Sequence, residues 1–326
     1  MLNILNLCVE DLFVGHRIGD DIYGGFLRTN LGRFYINKGI LMFFLRKHYR
    51  IYRRIIAAYR LIPPDFWSEE KSDWYRYMRF IHRNLLSRGL RCIRGTKRLR
   101  ILCIGCGAGW EIWTLLNMSR HKKPIEFVVG CDIALRPLLQ ARKIAKNYPV
   151  PIEFVCCPAE FLPFKDNTFD IVTAIFGALD HSLNYVRAFR EISRVLKRKG
   201  ILIATVINKF ALDWIIKVIK SPSLFVKTIK YADRTHARIR IPVKRNQYIR
   251  IPTHFYTTLE IKKLLKKFSL QIIELRGLFT LLPLNFKEKK FRMLHKLLAK
   301  MDRLFANVPP YNSLGRYIGI IARKIR

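Results

Sequence analysis

Three glycines alternate with other residues directly after an apolar run in the segment RILCIGCGAGWEI, which spans residues 100–112. Gly105, Gly107 and Gly109 lack a Cβ, so they permit a tight turn and let a ligand approach main-chain N–H groups closely. The pattern predicts a nucleotide-cofactor pocket at the carboxyl end of a strand, with a ligand-free strand-to-helix loop as the alternative. The dinucleotide fingerprint G-x-G-x-x-G would need glycine at Trp110, which disfavours a nicotinamide or flavin enzyme.

A second candidate group is the carboxylate of Asp132, which ends another apolar run from Phe127 to Cys131. At the carboxyl end of a strand, an acidic side chain can accept hydrogen bonds from both hydroxyls of a ribose. The same position also suits a residue that caps the N-terminus of a helix. We therefore expect Asp132 either to bind a ribose or to cap a helix.

The elements that must position these residues alternate between strand-like and helix-like patterns. Apolar runs at Pro151 to Cys157, Ile171 to Phe176 and Ile201 to Val206 predict further strands. Between the last two, Tyr185 to Leu196 has the spacing of an amphipathic helix. This alternation predicts an α/β fold.

Five sequence blocks between residues 100 and 275 occur in a family order: ILCIGCGAG, VVGCD, AEFLPFKDNTFD, REISRVLKRKG and HFYTTLEIKKLL. Together they closely resemble class I S-adenosylmethionine-dependent methyltransferases, in the branch that often acts on small molecules, quinones and lipids. The resemblance implies an enzyme that uses S-adenosyl-L-methionine as cofactor. It also implies a Rossmann-like, doubly wound sheet of seven strands with the last strand antiparallel.

The resemblance assigns roles to the candidate residues. Gly105, Gly107 and Gly109 would wrap the methionine part of the cofactor, and Asp132 would hold the ribose. Two further positions, Ala159 and Glu160, would flank the adenine. The remaining residues of the predicted cofactor-binding set are Cys106, Ile133 and Phe176.

Two residues depart from the family pattern in the cofactor pocket. Cys103 stands where the family usually has an acidic residue, and Pro158 stands where it usually has the aspartate that accepts from the adenine amino group. Proline offers neither an acceptor side chain nor an N–H. Glu111 or Glu160 could compensate. The departures keep open the alternative of a non-catalytic methyltransferase-fold binding protein.

Catalytic groups are less clearly marked by the sequence. Methyl transfer from a sulfonium depends mainly on positioning, with removal of a proton when the acceptor is a hydroxyl or a carbon acid. His181 is a candidate base if Asp180 orients its ring, and His254 and Tyr256 could line the acceptor site. A structural role is the alternative for each of them.

The domain organisation follows from the position of the motifs. Residues 1–95 form a predicted helical extension or cap, with helices at Lys38 to Tyr59 and Glu69 to Leu86. Residues 96–326 form the methyltransferase domain, in which 208–253 and 277–313 are lid insertions on the substrate side. A final helix at Glu288 to Phe305 and a final strand at Arg316 to Arg323 complete the pattern.

Positive charge is the other strong feature, because 61 Lys and Arg against 23 Asp and Glu give a formal net charge of +38. Such a field attracts polyanions. Basic residues with interleaved aromatic ones cluster in one short segment: Arg234, Arg238, Arg240, Lys244, Arg245 and Arg250, with Tyr231, His236 and Tyr248. The cluster suits contact with RNA, and an anionic membrane surface or a merely solvated face are the alternatives.

Two apolar stretches, FALDWIIKVIK from Phe210 and LFTLLPLNF from Leu278, suit a lid over a small or amphiphilic anionic acceptor, with core packing as the alternative for both. The favoured function is therefore methyl transfer to a small-molecule or lipid-like acceptor, with a tRNA or rRNA methyltransferase as the alternative. GALDH after the fourth strand argues against methylation of an adenine amino group, which typically needs a Pro-Pro-aromatic string there.

Seven cysteines show no metal-ligand spacing, and we expect no metal site. No apolar run of 18 residues is present, so we expect no transmembrane segment. The cysteines are typical of a reducing compartment. We expect a cytoplasmic protein, with peripheral membrane attachment as the alternative.

Overall fold

The computed structural model describes residues 26–29, 32–35, 51–59, 73–95, 98–119, 124–220, 237–244, 247–281 and 292–326. The start of the predicted helix Lys38 to Tyr59 lies outside these residues, as do Tyr231, Arg234, His236 and Arg245 of the basic cluster.

Eleven strands are present in the described part of the chain. They are β1 (Phe26–Thr29), β2 (Gly32–Tyr35), β3 (Leu99–Ile104), β4 (Ile125–Asp132), β5 (Ile152–Cys156), β6 (Phe169–Ala174), β7 (Leu196–Ile207), β8 (Ala237–Lys244), β9 (Gln247–Thr253), β10 (Leu270–Leu278) and β11 (Tyr317–Lys324). Eight α-helical segments accompany them: α1 (51–59), α2 (Asp73–Arg91), α3 (Trp110–Ser119), α4 (Leu135–Ala145), α5 (Tyr185–Val195), α6 (Leu212–Lys220), α7 (Thr258–Lys267) and α8 (Arg292–Phe305).

Seven of the strands form one sheet in the order β10-β11-β7-β6-β3-β4-β5. Strands β3 to β7 are parallel, and the last strand, β11, runs antiparallel between β7 and β10. The prediction of a seven-stranded α/β sheet with an antiparallel last strand is therefore confirmed. The remaining strands form two antiparallel pairs, β1 with β2 and β8 with β9.

The central strands are apolar because both faces of the sheet are covered. Every residue of β6 is buried, and β3 is buried except for Arg100. Parallel strands that carry helices on both faces read as continuous hydrophobic runs, which is the pattern that marked these segments in the sequence.

Local capping fixes the starts of two of the helices around the sheet. Asn184 accepts a hydrogen bond from the N–H of Arg187 at 3.0 Å and so caps α5. Thr257 accepts from the N–H of Glu260 at 3.0 Å and caps α7, and the T-x-x-E spacing is that of a capping box.

The described N-terminal helix α2 packs directly on the sheet. Leu85 and Leu86 are fully buried and share an apolar cluster with Leu99 and Ile101 of β3 and Ile203 of β7. Burying a leucine side chain contributes roughly 1.5–3 kcal/mol, so the contact stabilises helix and sheet together.

Element boundaries differ from the sequence prediction where tertiary contacts decide. Helix α2 runs to Arg91 rather than Leu86, because Gly89 lets the helix approach the sheet: a Cβ there would lie 2.2 Å from Cδ1 of Ile203. Strand β6 ends at Ala174 rather than Phe176, and Phe176 has a φ of +59°, which is incompatible with an extended strand. No helix in the described residues is long and apolar enough to cross a bilayer.

Candidate functional site

The glycine-rich loop after β3 is held in a conformation that favours glycine. Gly105 has a φ of +67°, and a Cβ there would lie 2.6 Å from the Cβ of Ala178. Gly107 has a φ of +51°, and no heavy atom lies within 4 Å of the place where its Cβ would stand. The loop therefore leaves open space beside a main chain that a cofactor could approach, as the glycines predict.

The carboxylate of Asp132, at the end of β4, joins this loop to the start of α4. Its Oδ2 accepts from the N–H of Gly107 at 2.9 Å, and its Oδ1 accepts from the N–H of Ala134 at 2.9 Å. The N-cap of α4 is Ala134, so Asp132 is not the helix cap. Burial raises the pKa of Asp132, and the bonds from these two N–H groups act against that rise. A backbone hydrogen bond from Ile133 also reaches the carboxylate, which leaves about one of its four lone-pair sites to accept a hydrogen bond from a hydroxyl.

A cavity of about 80 Å³ lies beside this loop, and we call it the cofactor cavity. Six of the predicted cofactor-binding residues line it: Gly105, Asp132, Ile133, Ala159, Glu160 and Phe176. The other three, Cys106, Gly107 and Gly109, do not line it. Cys106 is 6% exposed, and Gly109 makes room for the ring of Trp113, which would lie 2.6 Å from a Cβ at that position.

Glu160 is 1% exposed and connects the cavity wall to the segment that covers it. Its Oε1 accepts from the hydroxyl of Tyr52 at 3.1 Å and from the N–H of Asn184 at 3.2 Å. Burial raises the pKa of Glu160, and these hydrogen bonds among others act against the rise.

The cover itself is α1, which the motif analysis did not connect to the site. Tyr52, Ile55 and Tyr59 of this helix line the cofactor cavity. Burial raises the pKa of the Tyr59 phenol, and the nearby Asp132 carboxylate raises it further. The spacing 52, 55, 56 and 59 is that of a buried helical face, so periodicity marks the face but not what the face covers.

The two departures from the family pattern differ in their surroundings. Cys103 is fully buried in β3, opposite Thr173 of β6. The carboxyl of Glu111, from the first turn of α3, hydrogen-bonds to the same threonine. Burial raises the pKa of Glu111 to about 8, although Thr173 and the charge of Arg79 act against the rise. The carboxyl of Glu111 thus lies near Cys103. Pro158 lines the cofactor cavity, and the carboxyl that lines the same cavity two residues further along the chain is that of Glu160.

His181 lines the cofactor cavity, next to Gly177 and the cover helix. Its Nδ1 lies 3.2 Å from the carbonyl oxygen of Pro252 and 3.3 Å from Oγ1 of Thr253. A carbonyl oxygen only accepts, so Nδ1 carries the proton and Nε2 keeps the basic lone pair. Burial lowers the pKa of His181 to about 4, so the ring is neutral near pH 7.

The carboxylate of Asp180 does not orient the ring of His181. Its Oδ1 accepts instead from the N–H of Ile207 at 2.8 Å, and its other oxygen is buried with no hydrogen-bond partner among the described residues. The expected Asp180–His181 pair is replaced by backbone contacts, because the strand β9 brings the Pro252 carbonyl to the imidazole.

The other two candidate catalytic residues lie outside the lining of the cofactor cavity in the described structure. His254 donates through Nε2 to Oε1 of Glu260 at 2.8 Å, and its ring stacks on Tyr185 at 4.0 Å between centroids. Tyr256 is fully buried, and its hydroxyl donates to the carbonyl of Leu179 at 2.9 Å. Both side chains join α7 and β9 to the body of the fold.

Comparison with known proteins agrees with this description. The family model described as a methyltransferase domain matches residues 102–204. An uncharacterized protein of Methanocaldococcus jannaschii is 32% identical over 261 residues, which cover 79% of this chain and 87% of that protein. A demethylmenaquinone methyltransferase of Staphylococcus carnosus is 29% identical over 157 residues, which cover 48% of this chain and 58% of that enzyme.

Among solved structures, a SAM-dependent methyltransferase from Methanosarcina mazei is 21% identical with a TM-score of 0.48, covering 71% of this chain and 94% of its own. The residues around the cofactor cavity fit the cofactor that the sequence implies, because they offer open main chain at Gly107 and a carboxylate at Asp132. The sheet topology and the matched domain lead to the same conclusion, which is that this chain belongs to the class I S-adenosylmethionine-dependent methyltransferases.

Proposed function

We propose that the protein transfers the methyl group of S-adenosylmethionine to a small, amphiphilic acceptor of quinone-like or lipid-like chemistry. The observation that carries the proposal is the cover over the cofactor cavity. Tyr52, Ile55 and Tyr59 of α1 cover part of it with apolar and aromatic surface. A partly covered, largely apolar cavity suits a small acceptor better than a polymer.

The bound cofactor supplies an electrophilic methyl group on a positively charged sulfonium. We infer that Asp132 accepts from the ribose hydroxyls and that the main chain from Gly105 to Gly109 holds the methionine end. The same inference sets Ile133, Ala159 and Glu160 near the adenine. The described lining of the cavity contains carboxylates and no lysine or arginine, which favours a cationic ligand.

His181 is the residue that we propose for the acceptor side. Its neutral ring can accept a hydrogen bond through Nε2 from an acceptor hydroxyl while Nδ1 donates to Pro252. The cofactor would supply the methyl carbon to the acceptor and would keep the electron pair of the S–C bond on its sulfur. The acceptor loses one proton, which His181 receives or passes to water.

The lipid-like chemistry is supported by exposed apolar side chains on α6. Trp214 is 39% exposed, Ile216 is 42% exposed and Ile219 is 73% exposed. These residues belong to the predicted lid insertion 208–253, and an exposed Trp with aliphatic neighbours suits contact with an apolar acceptor or its membrane. The resemblance of residues in the methyltransferase domain to a demethylmenaquinone methyltransferase also supports a quinone-like acceptor.

The small volume of the cofactor cavity leads us to infer that α1 moves when the cofactor enters. The cofactor cavity measures about 80 Å³, whereas ligand sites typically enclose roughly 300–1,000 Å³. We therefore infer that α1 acts as a lid, which the hydrogen bond from Tyr52 to Glu160 holds in place.

The first test is calorimetric titration of S-adenosylmethionine into nucleic-acid-free protein. Micromolar binding is the expected result, and an absence of binding up to millimolar cofactor would instead support the non-catalytic alternative. The second test follows tritium from methyl-labelled cofactor into a short-chain demethylmenaquinol, with total tRNA as the competing acceptor. Label in the organic phase supports the proposal.

A variant separates the role of His181 from a structural one. His181→Ala should lower kcat while leaving the cofactor Kd within about twofold, because the ring acts on the acceptor side.

Label that appears only on tRNA would replace the proposal with the RNA alternative. One observation favours that alternative. Two arginines, Arg240 of β8 and Arg250 of β9, are directly opposite in the strand register, and the carbonyl of Pro252 in β9 contacts His181.

A further inference from the structure

A second cavity lies between α2, the end of β10 and α8, and it measures about 240 Å³. Its polar lining consists of Asn84, Arg88, Arg91, Arg276, Asp302 and Arg303. We call it the arginine cavity. None of its lining residues lines the cofactor cavity, so the two are separate sites.

Two of its arginines share one carboxylate. Arg88 Nε donates to both oxygens of Glu274, at 3.0 and 2.8 Å, and Arg276 Nη1 donates to Oε1 of the same residue at 2.8 Å. Burial lowers the pKa of Arg276, and the charge of Arg88 lowers it further, against the effect of Glu274. This pair of guanidiniums is therefore short of negative charge.

The other two arginines have no carboxylate within 4 Å among the described residues. Arg303 donates through Nε to the carbonyl of Ala299 at 3.2 Å and lies 5.6 Å from the ring of Phe80. Arg91 lies in the last turn of α2. Asp302 already accepts from the N–H of Leu281 at 2.9 Å and from the hydroxyl of Tyr311. Among the described residues, four guanidiniums thus accompany two carboxylates, Asp302 in the lining and Glu274 beside it, which leaves an excess of two positive charges.

The walls between these groups are apolar. Ile81, Leu85, Leu278 and Phe279 are all buried and line the same cavity. Apolar walls reduce the local dielectric and strengthen the attraction between the arginines and an anion. The volume corresponds to about eight waters at the share that water has in the liquid, which is sufficient for a phosphate group with a few attached atoms.

We propose that the arginine cavity binds a phosphate group, either as the free anion or as part of a glycerol phosphate headgroup. Guanidinium groups present a planar fork of N–H donors that matches phosphate oxygens, and a dianion would balance the excess charge. The proposal does not depend on methyl transfer, because the site shares no residue with the cofactor cavity.

The test is calorimetric titration with sodium phosphate at constant ionic strength, without S-adenosylmethionine. The variant Arg91→Gln/Arg303→Gln leaves the Glu274 pairs intact. It should weaken phosphate binding by about tenfold for each arginine removed, since a hydrogen bond to a charged group is typically worth a factor of that order.

A matched control removes the same charge elsewhere. Arg142→Gln/Arg190→Gln changes two exposed arginines on α4 and α5 and should leave phosphate affinity unchanged. An equal loss in this control would overturn the proposal, because it would reveal only the general field of the protein. No binding to the unaltered protein at millimolar phosphate would overturn it as well.

A comparison of two affinities, for glycerol 3-phosphate and for inorganic phosphate, shows whether the natural ligand is a headgroup or the free anion. Tighter binding of glycerol 3-phosphate than of inorganic phosphate would assign the site to a headgroup, and equal binding would assign it to the free anion. Either result, lost in Arg91→Gln/Arg303→Gln, supports the site. Failure here leaves cofactor binding untouched, so the two proposals can be told apart.

Discussion

The cofactor cavity and the arginine cavity both open near the carboxyl edge of the sheet, yet they hold opposite charge. In the first, Asp132 and Glu160 are satisfied by backbone N–H groups and a tyrosine hydroxyl. In the second, Arg88 and Arg276 compete for Glu274. One fold thus prepares a place for a cation and a place for an anion, and substitutions at each should affect only its own ligand.

The largest expected effect is that of Asp132→Ala on the cofactor cavity. The change removes the acceptor for Gly107 and Ala134 and the proposed partner of the ribose. We expect cofactor affinity to fall by about a hundredfold or more, because each hydrogen bond to a charged group contributes roughly 1.5–3 kcal/mol. Calorimetry measures the loss, and phosphate binding should be unchanged. A fall in both affinities would mean that the two cavities are not independent.

Asp180→Asn tests the effect of burying a carboxyl group close to the cofactor cavity. Burial raises the pKa of Asp180 to about 8, above the value near 3.8 expected when it is unfolded. The folded state therefore holds the proton between about pH 4 and pH 8, and stability should fall as pH rises through that window.

Asn removes this contribution, which amounts to about 1.4 kcal/mol for each unit of pKa shift. Urea denaturation at about pH 5 and about pH 9 should give a smaller difference in the variant than in the parent protein. Some dependence of the free energy of unfolding on pH should persist in the variant, because the pKa of Glu111 is also raised to about 8. Asp166→Asn, at an exposed carboxylate, is the control. An Asp180→Asn variant with the same pH dependence of the free energy of unfolding as the parent protein would contradict the prediction.

Glu274→Gln should strengthen ligand binding at the arginine cavity, whereas Asp132→Ala should weaken it at the cofactor cavity. The two arginines lose their shared counter-charge, so we expect a stability loss on the order of 1 kcal/mol without phosphate. Phosphate should then bind more tightly and raise the Tm more than it does in the parent protein. Glu126→Gln breaks the Arg100 pair at 2.9 Å and serves as the matched control. A larger phosphate effect in the control variant would count against the site.

The smallest effect separates backbone strain from ligand approach. Gly107→Ala and Gly95→Ala both place a Cβ at positive φ, +51° and +71°, with no heavy atom within 4 Å. Each should cost about 1 kcal/mol or slightly more of folding stability. Only Gly107→Ala should weaken cofactor binding. Equal cofactor affinities in the two variants would mean that the ligand does not approach Gly107.

The sequence predicts the strands and turns that border the cofactor cavity because their signals are local. The glycines and Asp132 end apolar runs, so a strand and its terminus are read from neighbouring residues. The same reasoning predicts the sheet, whose buried strands have continuous apolar patterns.

The arginine cavity could not be predicted in this way. Arg88, Arg276 and Arg303 lie far apart in the chain, and each taken alone resembles a solvated surface residue. Only the packing of α2 and α8 against the end of β10 brings them together. The same limit applies to α1, whose buried face is periodic but whose partner, Glu160, lies 108 residues away.

The hydrogen bond from Tyr52 to Glu160, which holds α1 at the cofactor cavity, has a consequence for turnover. If S-adenosylmethionine enters and its demethylated product leaves through the same cover, each catalytic cycle includes an opening of this helix. Motions of this kind occur in microseconds to milliseconds and often limit kcat. The hydroxyl of Tyr52 would then set the pace of product release while contributing nothing to the chemical step, and Tyr52→Phe would speed exchange.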